Sequence, residues 1–385
     1  GEDMAGPVID LVRDSEERAR LERQTHAFAE KYLSPDAIYS ELVGVIRRHS
    51  QRRAGTSQEG ASSGAQPPRG DIQDEAADAL EVATATFLVL EDGTELPLWV
   101  QPGRGVPEPD PQVGRPGVVV LFPYPLLPAD NGGSARTLVL LRALRRAGYF
   151  VWLVGVGLRP EHRRELALCA DAVVVLPDLP GDPETRIRES GLNTLRARYH
   201  PGFDEVVPAL VEFSSPRVVL ASFAFSAYGL NRVPEGLLRV VDTIDIQHRR
   251  ADVALEHGGD LESRRCSRDD ELEALGDADL LISIQPEERK VFESMFPDKL
   301  HIVCGHAVEE CRALVPDCHS RKVLFIGNRY DPNTLGIRAF IRDVWPTVLE
   351  HVPDATLDVV GTVCRDLSED IPGVRLHGFV PEVEP

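Results

Sequence analysis

The stretch GVVVLFPYPLLPADNGGSARTLVLLRALRRAGYFVWLVGV, residues 117–156, sets the fold of most of this chain. It begins and ends with apolar runs, residues 117–122 and 149–156, that are typical of parallel strands buried on both faces. Leucines at helical spacing between these runs predict the inward face of a helix, which Gly148 would end. A strand, a helix and a second strand in this order predict a parallel β-α-β unit.

The same alternation continues along the chain. Four further apolar runs are bounded by turn residues, at 171–177, 217–223, 238–245 and 278–284. A second series follows, with strands expected at 322–328, 356–363 and 374–380 and a helix at 334–349. Since so few strands cannot bury their own helices, we expect this second domain to be incomplete. The sequence therefore predicts an α/β protein with two Rossmann-like, doubly wound domains.

The first part of the chain has a different composition. Ile38, Leu42 and Ile46 recur every four residues, so one face of a predicted helix must pack on another element. Residues 51–76 lack this periodicity and are rich in Gly, Ser, Pro and Gln, as in flexible linkers. These signals predict a helical segment, a linker and two α/β domains, at residues 1–50, 51–80, 81–315 and 316–385.

Composition and charge exclude several classes of protein. The chain has 385 residues and a formal net charge of -20, which would repel a phosphate backbone and argues against nucleic-acid binding. It contains no apolar run of the roughly 18 residues that span a bilayer. Its first residues also lack the order of a signal peptide. We therefore expect a cytoplasmic protein.

The cysteines do not predict a metal site. The six cysteines are scattered, with neither the density of a disulfide framework nor paired CxxC spacing. One region gathers cysteine and histidine, but its spacings fit no common zinc pattern: Cys304, His306, Cys311, Cys318 and His319. We expect core and loop residues there, no metal and no cofactor.

The loop after the first strand of the opening stretch is a candidate ligand site. In a doubly wound sheet, ligands bind beyond the carboxyl ends of the strands, where loops lead into helices. Asn131, Gly132 and Gly133 lie at such a place, where backbone N–H groups at a helix N-terminus suit phosphate or sugar oxygens. The spacing is neither GxGxxG nor a P-loop. From these residues alone, a structural turn and a binding loop are equally open.

From residue 117 onwards the chain resembles the family 4, or group 1, retaining glycosyltransferases of GT-B architecture. The stretch PYPLLPADNGGSARTLVLLRALRRAGYFVWLV is similar to their opening strand, glycine loop and helix. VVDTIDIQHRRA, ELEALGDADLLISIQPEERKVF and HIVCGHAVE resemble the end of their N-terminal domain. VLFIGNRYDPNTLGIRAFIRDVWPTVLEHVPDATLDVVG resembles the start of their C-terminal domain.

This resemblance implies two domains facing across a cleft, with a nucleotide sugar on one side and a glycan or lipid-linked acceptor on the other. A sugar would pass to an acceptor hydroxyl with retention of configuration, in polysaccharide or glycoconjugate synthesis. The transfer reaction would need no metal, because helix N-termini and arginine can replace the cation. The residues implied for donor binding are Asn131, Gly132, Gly133, Gly327, Asn328 and Arg329.

The resemblance also implies residues on the acceptor side. Asp245 and His248 would be catalytic, since a carboxylate and an imidazole can orient an acceptor hydroxyl. Arg136 and Arg249 would bind the acceptor. The simpler alternatives are that Asp242 or Asp245 only caps a turn, that Arg249 and Arg250 are solvated, and that Arg329 is a surface arginine.

Other parts of the chain depart from the family pattern or extend it. The family's second basic residue, a lysine, is absent from GNRYDPNTLG, and Asn333 there is expected to cap a helix. The paired glutamates that hold the donor would lie beyond residue 385, so we expect the chain alone to bind donor poorly and to turn over slowly or not at all. Residues 6–48 resemble the closing helices of the same family, which suggests a tandem enzyme; an independent helical appendage is the alternative.

Two other functions fit the same features. A sugar-nucleotide epimerase uses the same two-domain frame, and a non-catalytic scaffold would retain the fold without the chemistry. Lipid-linked acceptors would also allow peripheral membrane contact, because LVLLRALRRAGY has a basic edge beside apolar residues. The apolar face of that helix is equally consistent with core packing.

Overall fold

The computed structural model describes residues 33–56, 86–100, 115–257, 265–307, 321–368 and 370–380, together with isolated positions among the first 32. The chain divides into two units. The larger unit is Leu33–Glu309, and the smaller unit combines Gly1–Tyr32 with Glu310–Pro385. The predicted helical segment 1–50 is thus shared between the units, and residues 57–80 of the predicted linker lie outside the described residues.

In the described part of the larger unit, nine strands form one sheet. The strands are β1 Thr86–Val89, β2 Glu95–Val100, β3 Gly117–Phe122, β4 Phe150–Val156, β5 Ala172–Leu176, β6 Val218–Ser222, β7 Leu238–Asp242, β8 Leu280–Ser283 and β9 Leu300–Val303. The helices are α1 Pro35–Thr56, α2 Gly132–Arg146, α3 Arg163–Cys169, α4 Pro183–Ser190, α5 Thr194–Arg198, α6 Phe203–Ser214, α7 Gln247–His257, α8 Arg268–Leu275 and α9 Pro286–Met295. Short 3₁₀ helices occupy Pro160–His162 and Ala224–Arg232.

The strand order is that of a doubly wound fold. The sheet runs β1-β2-β5-β4-β3-β6-β7-β8-β9, and every neighbouring pair from β5 to β9 is parallel. The hairpin β1–β2 adds two antiparallel strands at the β5 edge. All residues of β3, β4 and β6 are buried, as expected for strands covered on both faces. The predicted α/β fold class is confirmed.

The first helix of the larger unit packs on this sheet layer through its predicted face. Tyr39, Leu42 and Ile46 of α1 are buried in the same core as α2 and the strands. The Tyr39 hydroxyl donates to the carbonyl oxygen of Arg136 at 3.5 Å. Helix α1 runs to Thr56, so residues 51–56 of the predicted linker are helical.

Helix α2 has the inward face that its leucine spacing predicts. Leu138, Leu141 and Leu144 are all buried in the core. After the helix, Gly148 adopts a φ of 92° and its N–H donates to the carbonyl oxygen of Arg145, which ends the helix as predicted. Since the apolar face of α2 is used for core packing, it is not the membrane-binding face that its sequence also allowed.

The smaller unit is built on a parallel three-stranded sheet in its described part, in the order β10-β11-β12. Its elements are β10 Lys322–Ile326, α10 Asp331–Asp343, α11 Trp345–His351, β11 Thr356–Val360, a 3₁₀ helix Thr362–Asp366 and β12 Val374–Gly378. Trp345 is buried and its indole N–H donates to the carbonyl oxygen of Pro372 at 2.9 Å.

Two sequence predictions for this unit need correction. The helix expected at 334–349 is two helices, because Pro346 has no N–H to continue α10 and lies in the first turn of α11. Asn333 is not the cap of α10. The helix begins two residues earlier, and the Asn333 amide donates to the side-chain oxygen of Asn328 at 2.7 Å.

Among the described residues, no helix has the length and apolarity needed to cross a membrane.

Truncation of Leu141 to alanine should destabilise the larger unit by about 2–5 kcal/mol, because the side chain is fully buried and leaves a cavity. Urea denaturation measures this change. Leu168→Ala is the matched control, since Leu168 is 61% exposed and its loss should cost less than about 0.5 kcal/mol. Equal losses for the two variants would contradict the packing described for α2.

Candidate functional site

The carboxyl ends of the parallel strands form one edge of the larger sheet. The strand order reverses between β3 and β6, and in doubly wound sheets this switch point is where ligands bind. The loops after β3, β6, β7, β8 and β9 all lie at this edge. They carry the polar residues described below, so we call this set of loops the carboxyl edge.

Asn131 and Gly132 form the start of α2 at this edge. Asn131 is the helix cap, and its side-chain oxygen accepts from the N–H of Ser134 at 2.9 Å. Gly132 is exposed, and a Cβ there would meet only the His306 ring, at 3.9 Å. The first N–H groups of a helix have no acceptor within the helix. The start of α2 therefore presents a positive dipole end beside an open position.

Gly133 has a different environment from Gly132. A Cβ at Gly133 would lie 2.3 Å from Cζ of Phe223 and 2.8 Å from the hydroxyl of Tyr124. Phe223 follows β6 and has a φ of 66° and a ψ of 149°, a backbone region occupied almost only by glycine. The aromatic side chains therefore fill the space beside Gly133. The smallness of this residue serves packing at the switch point.

Arg136 holds three loops of the carboxyl edge together. Its Nε and Nη2 donate to the two carboxylate oxygens of Asp242 at 2.8 and 2.9 Å, and both side chains are fully buried. Its Nη1 donates to the carbonyl oxygen of Gly305, in the loop after β9. Because burial and these bonds occupy the guanidinium, Arg136 is a structural residue here. The predicted role in acceptor binding would need this pair to open.

Asp245 lies in a strained turn directly after β7. Its N–H donates to the carbonyl oxygen of Thr243 at 2.8 Å, and the intervening Ile244 has a φ of 64°, which is unfavourable for a β-branched residue. The pKa of the half-buried Asp245 carboxyl is raised, because burial outweighs the opposing effects of Arg250 and His306. The guanidinium of Arg250 lies 3.3 Å from the carboxylate.

Glu288 is a second carboxyl group at the same edge. It lies in the first turn of α9, is 6% exposed, and accepts from the N–H of Ile284 at 3.2 Å. Burial raises the pKa of Glu288 from 4.5 to about 7, and the negative charge of Asp245 adds to this effect. Desolvation and the positive charge of Arg136 lower the pKa of the His306 ring. The edge thus places one carboxyl group that titrates near neutral pH, Glu288, beside two further groups with shifted pKa values, Asp245 and His306.

His248 lies at the start of α7 and is fixed by a buried carboxylate. Its Nδ1 lies 2.5 Å from Oε2 of Glu271, and the His248 side chain is 13% exposed. Arg249, the next residue, is exposed. The structure therefore brings Asp245 and His248 to the same strand end, as their positions in the sequence suggest, while Arg249 faces solvent.

Gly327, Asn328 and Arg329 follow β10 in the smaller unit. The Gly327 N–H donates to the carbonyl oxygen of Val360, and the Arg329 N–H donates to the Thr362 hydroxyl at 2.7 Å. Nε of Arg329 donates to both carboxylate oxygens of Asp366, at 3.0 and 3.1 Å. The Arg329 side chain is 62% exposed. The three residues form one turn at the carboxyl edge of their own sheet.

Sequence reasoning missed the two buried glutamates, Glu271 and Glu288. Each lies in the first turn of a helix, where a carboxylate is usually explained as favourable for the helix dipole. For Glu288 a signal was available, since it follows the apolar run 278–284 at a strand end. For Glu271 there was none, because its partner His248 is 23 residues away in the sequence.

No metal site is evident in the part of the chain that the structure describes, which contains no group of three residues able to hold an ion. Cys304 is buried and lies near the Arg136–Asp242 pair, which agrees with a core role. Of the remaining members of the cysteine and histidine group, residues 311, 318 and 319 lie outside the described residues.

Fold and edge together define a doubly wound α/β protein with a titratable polar site at the carboxyl ends of its parallel strands. No family model matches the chain, and no curated protein matches it. Similar solved structures include the glycotransferase of kitacinnamycin, at 16% identity over 70% of this chain and 72% of that chain, with a TM-score of 0.38. A sucrose-phosphate synthase from Thermosynechococcus elongatus has 14% identity over 69% and 71%, with a TM-score of 0.43.

The spinosyn forosaminyltransferase is similar at 18% identity over 68% of this chain and 70% of that chain, with a TM-score of 0.36. At these identities and TM-scores the similarities carry no argument about the activity of this chain. The fold assignment therefore rests on the strand order, and the site rests on its own geometry.

Replacing Arg136 by methionine should destabilise the larger unit by about 3–5 kcal/mol, because Asp242 would remain buried without its partner. Chemical denaturation measures the loss. The control is Arg289→Met, since Arg289 and Glu293 form a 2.7 Å pair that is 41% exposed on both sides. Such a pair contributes at most about 1 kcal/mol. A small effect at Arg136 would show that the pair does not hold the loops.

Glu288→Gln should change how stability depends on pH. A carboxyl group whose pKa is raised by folding contributes its full stability below pH 4.5, and this contribution is lost as pH rises through about 7. The glutamine variant stays neutral, so relative to the native chain it should gain on the order of 3 kcal/mol between pH 4 and pH 8. Asp245 and Arg136 act on the charge of Glu288, so their opposing effects are part of the pKa shift that the glutamine variant removes.

Thermal or urea unfolding at a series of pH values measures this difference. Glu287→Gln is the matched control, because Glu287 is the exposed neighbour in the same helical turn. If both variants follow the native pH profile, Glu288 titrates normally and the edge lacks its neutral-pH acid.

Proposed function

We propose that this chain belongs to a glycosyltransferase that moves a sugar from a nucleotide-sugar donor to an acceptor hydroxyl. The observation that carries the proposal is the carboxyl edge of the larger sheet. There the open start of α2 at Gly132 lies beside His306, and His306 is coupled electrostatically to Asp245. An anion-accepting helix end next to proton-exchanging groups suits the departure of a diphosphate and the activation of a hydroxyl.

The proposed roles follow from these positions. The N–H groups at Asn131, Gly132 and Gly133 would bind anionic oxygens of the donor; Gly132 is exposed and its two neighbours are half-buried. Asp245 and His248 would orient the acceptor hydroxyl, and the exposed Arg249 would contact an anionic or polar part of the acceptor. In the smaller unit, the turn of Gly327, Asn328 and Arg329 would bind the diphosphate. Asp366 orients the guanidinium of Arg329 for this task.

The finer features of the proposal come from the resemblance stated above. They are membership of family 4, the GT-B arrangement, retention of configuration, and a role in polysaccharide or glycoconjugate synthesis in the cytoplasm with a lipid-linked or glycan acceptor. Independence of metal is also proposed, because helix N-termini and arginine side chains can neutralise the leaving diphosphate.

Calorimetric titration of the 385-residue chain with UDP-, GDP- and ADP-glucose tests the donor part of this proposal. Arg329→Ala should weaken binding about tenfold or more, since a charge-assisted hydrogen bond contributes about 1.5–3 kcal/mol. Arg342→Ala is the control, because Arg342 is also exposed and paired with an aspartate, its neighbour Asp343. Weak binding by the chain alone is expected, so the titration uses donor in large excess. Equal effects of the two variants on donor affinity would contradict the assigned diphosphate site.

A bulky residue at the start of α2 provides a second test. Gly132→Val should weaken binding of the same donors, because its side chain would cover the open N–H groups. Gly336→Val is the control, since Gly336 is exposed in α10 and a Cβ there meets no atom within 4 Å.

Mass spectrometry of mixtures of the chain, donor and acceptor follows the sugar. Isomerised nucleotide sugar formed without consumption of an acceptor would contradict transfer and favour an epimerase.

A further inference from the structure

Glu271 is a buried carboxylate at the start of α8, and it faces the start of α7. Glu271 is 0% exposed. The cap of its own helix is made by other residues, because Ser267 and Asp270 form a reciprocal capping box there. Glu271 is therefore not needed to cap α8. Its carboxylate is directed to another element.

Within the described residues, the side-chain hydrogen bonds of Glu271 all come from the first turn of α7. The N–H of Gln247 donates to Oε1 at 3.0 Å, and the N–H of His248 donates to Oε2 at 3.2 Å. The His248 ring nitrogen Nδ1 lies 2.5 Å from Oε2. Among the described residues, His248 is the one ion-pair partner of Glu271. One carboxylate thus holds both the backbone and the side chain of residue 248.

This geometry fixes the protonation pattern of the His248 ring. A carboxylate has no proton to donate, so the short contact requires a proton on Nδ1. In the neutral ring the other nitrogen, Nε2, then carries a lone pair. The His248 side chain is 13% exposed, and Nε2 is the ring nitrogen that can accept a hydrogen bond from a ligand.

We propose that Glu271 is the positioning residue of His248. The inference rests on the proposed function, which makes His248 a catalytic residue. Nε2 would accept a hydrogen bond from the acceptor hydroxyl and hold its oxygen on the face of the sugar that the diphosphate leaves, as retention of configuration requires. The oxygen forms its bond to the anomeric carbon, the bond from that carbon to the diphosphate breaks with its electron pair on the nucleoside diphosphate, and the hydroxyl proton passes to that leaving group. Glu271 would hold the ring in this orientation through the 2.5 Å contact with Nδ1.

Nitrogen-15 NMR of the labelled native chain tests the pairing without any need for activity. At a pH where the His248 ring is neutral, we expect its signals to show a protonated Nδ1 and an unprotonated Nε2. The signals are assigned by their loss in His248→Gln. A native ring protonated on Nε2 would overturn the proposal, whatever the stability of any variant.

Glu271→Gln should abolish this preference, because an amide cannot accept from all three donors of the α7 start. Glu273→Gln is the matched control on the same helix, since Glu273 is 57% exposed and pairs with Arg196. The control should leave the His248 signals unchanged. If Glu271→Gln folds and keeps the native tautomer, the carboxylate does not position the ring and the proposal fails.

Sugar transfer supplies a readout that a purely structural role would not move. Glu271→Gln should lower kcat by about 10- to 100-fold with little change in KM, and should add little to the loss caused by His248→Gln. Additive losses would contradict the proposal. Transfer by the chain alone is expected to be slow, so it is followed over a long incubation, and isomerised donor without transferred sugar would contradict the proposed function. The NMR result still decides whether Glu271 sets the tautomer.

Discussion

The buried pair of Arg136 and Asp242 is the contact on which the carboxyl edge depends. It joins the first turns of α2 to the end of β7, and the third bond of the guanidinium reaches Gly305 after β9. Such a pair adds little net stability, because removing two charges from water costs about as much as their attraction returns. Its effect is on geometry. The start of α2 and the turn that carries Asp245 cannot move independently while the pair is intact.

Backbone strain is concentrated near the same contact. Phe223 and Ile244 both have positive φ values and follow β6 and β7, whose ends are adjacent in the sheet. The Phe223 N–H donates to the carbonyl oxygen of Asp242 at 2.8 Å, so the strained residue after β6 is tied to the residue that binds Arg136. Strain of this kind persists only where the surroundings over-determine the conformation, and it is common at functional sites. The edge therefore combines rigid support with groups that change protonation.

The elements of this fold were predictable to the extent that their signals are local. Strand β3 has the predicted bounds of 117–122, because a continuous apolar run between turn residues is sufficient to define a buried parallel strand. The site was predictable only in part. Asp245 and His248 could be found from their place after a strand, but the partner of Arg136 is 106 residues away and that of His248 is in another helix. Such pairings depend on the strand order, which no local pattern encodes.

The two adjacent glycines at the start of α2 illustrate the same distinction. Both are small residues in one turn, and from the sequence they have the same explanation, a close approach of ligand to backbone. In the structure the protein itself limits the size of residue 133, since a Cβ there would lie 2.3 Å from Phe223. At Gly132 the nearest atom would be 3.9 Å away, so the protein sets no such limit. A larger residue at 133 must therefore disturb the aromatic packing, whereas one at 132 would act only on what binds there.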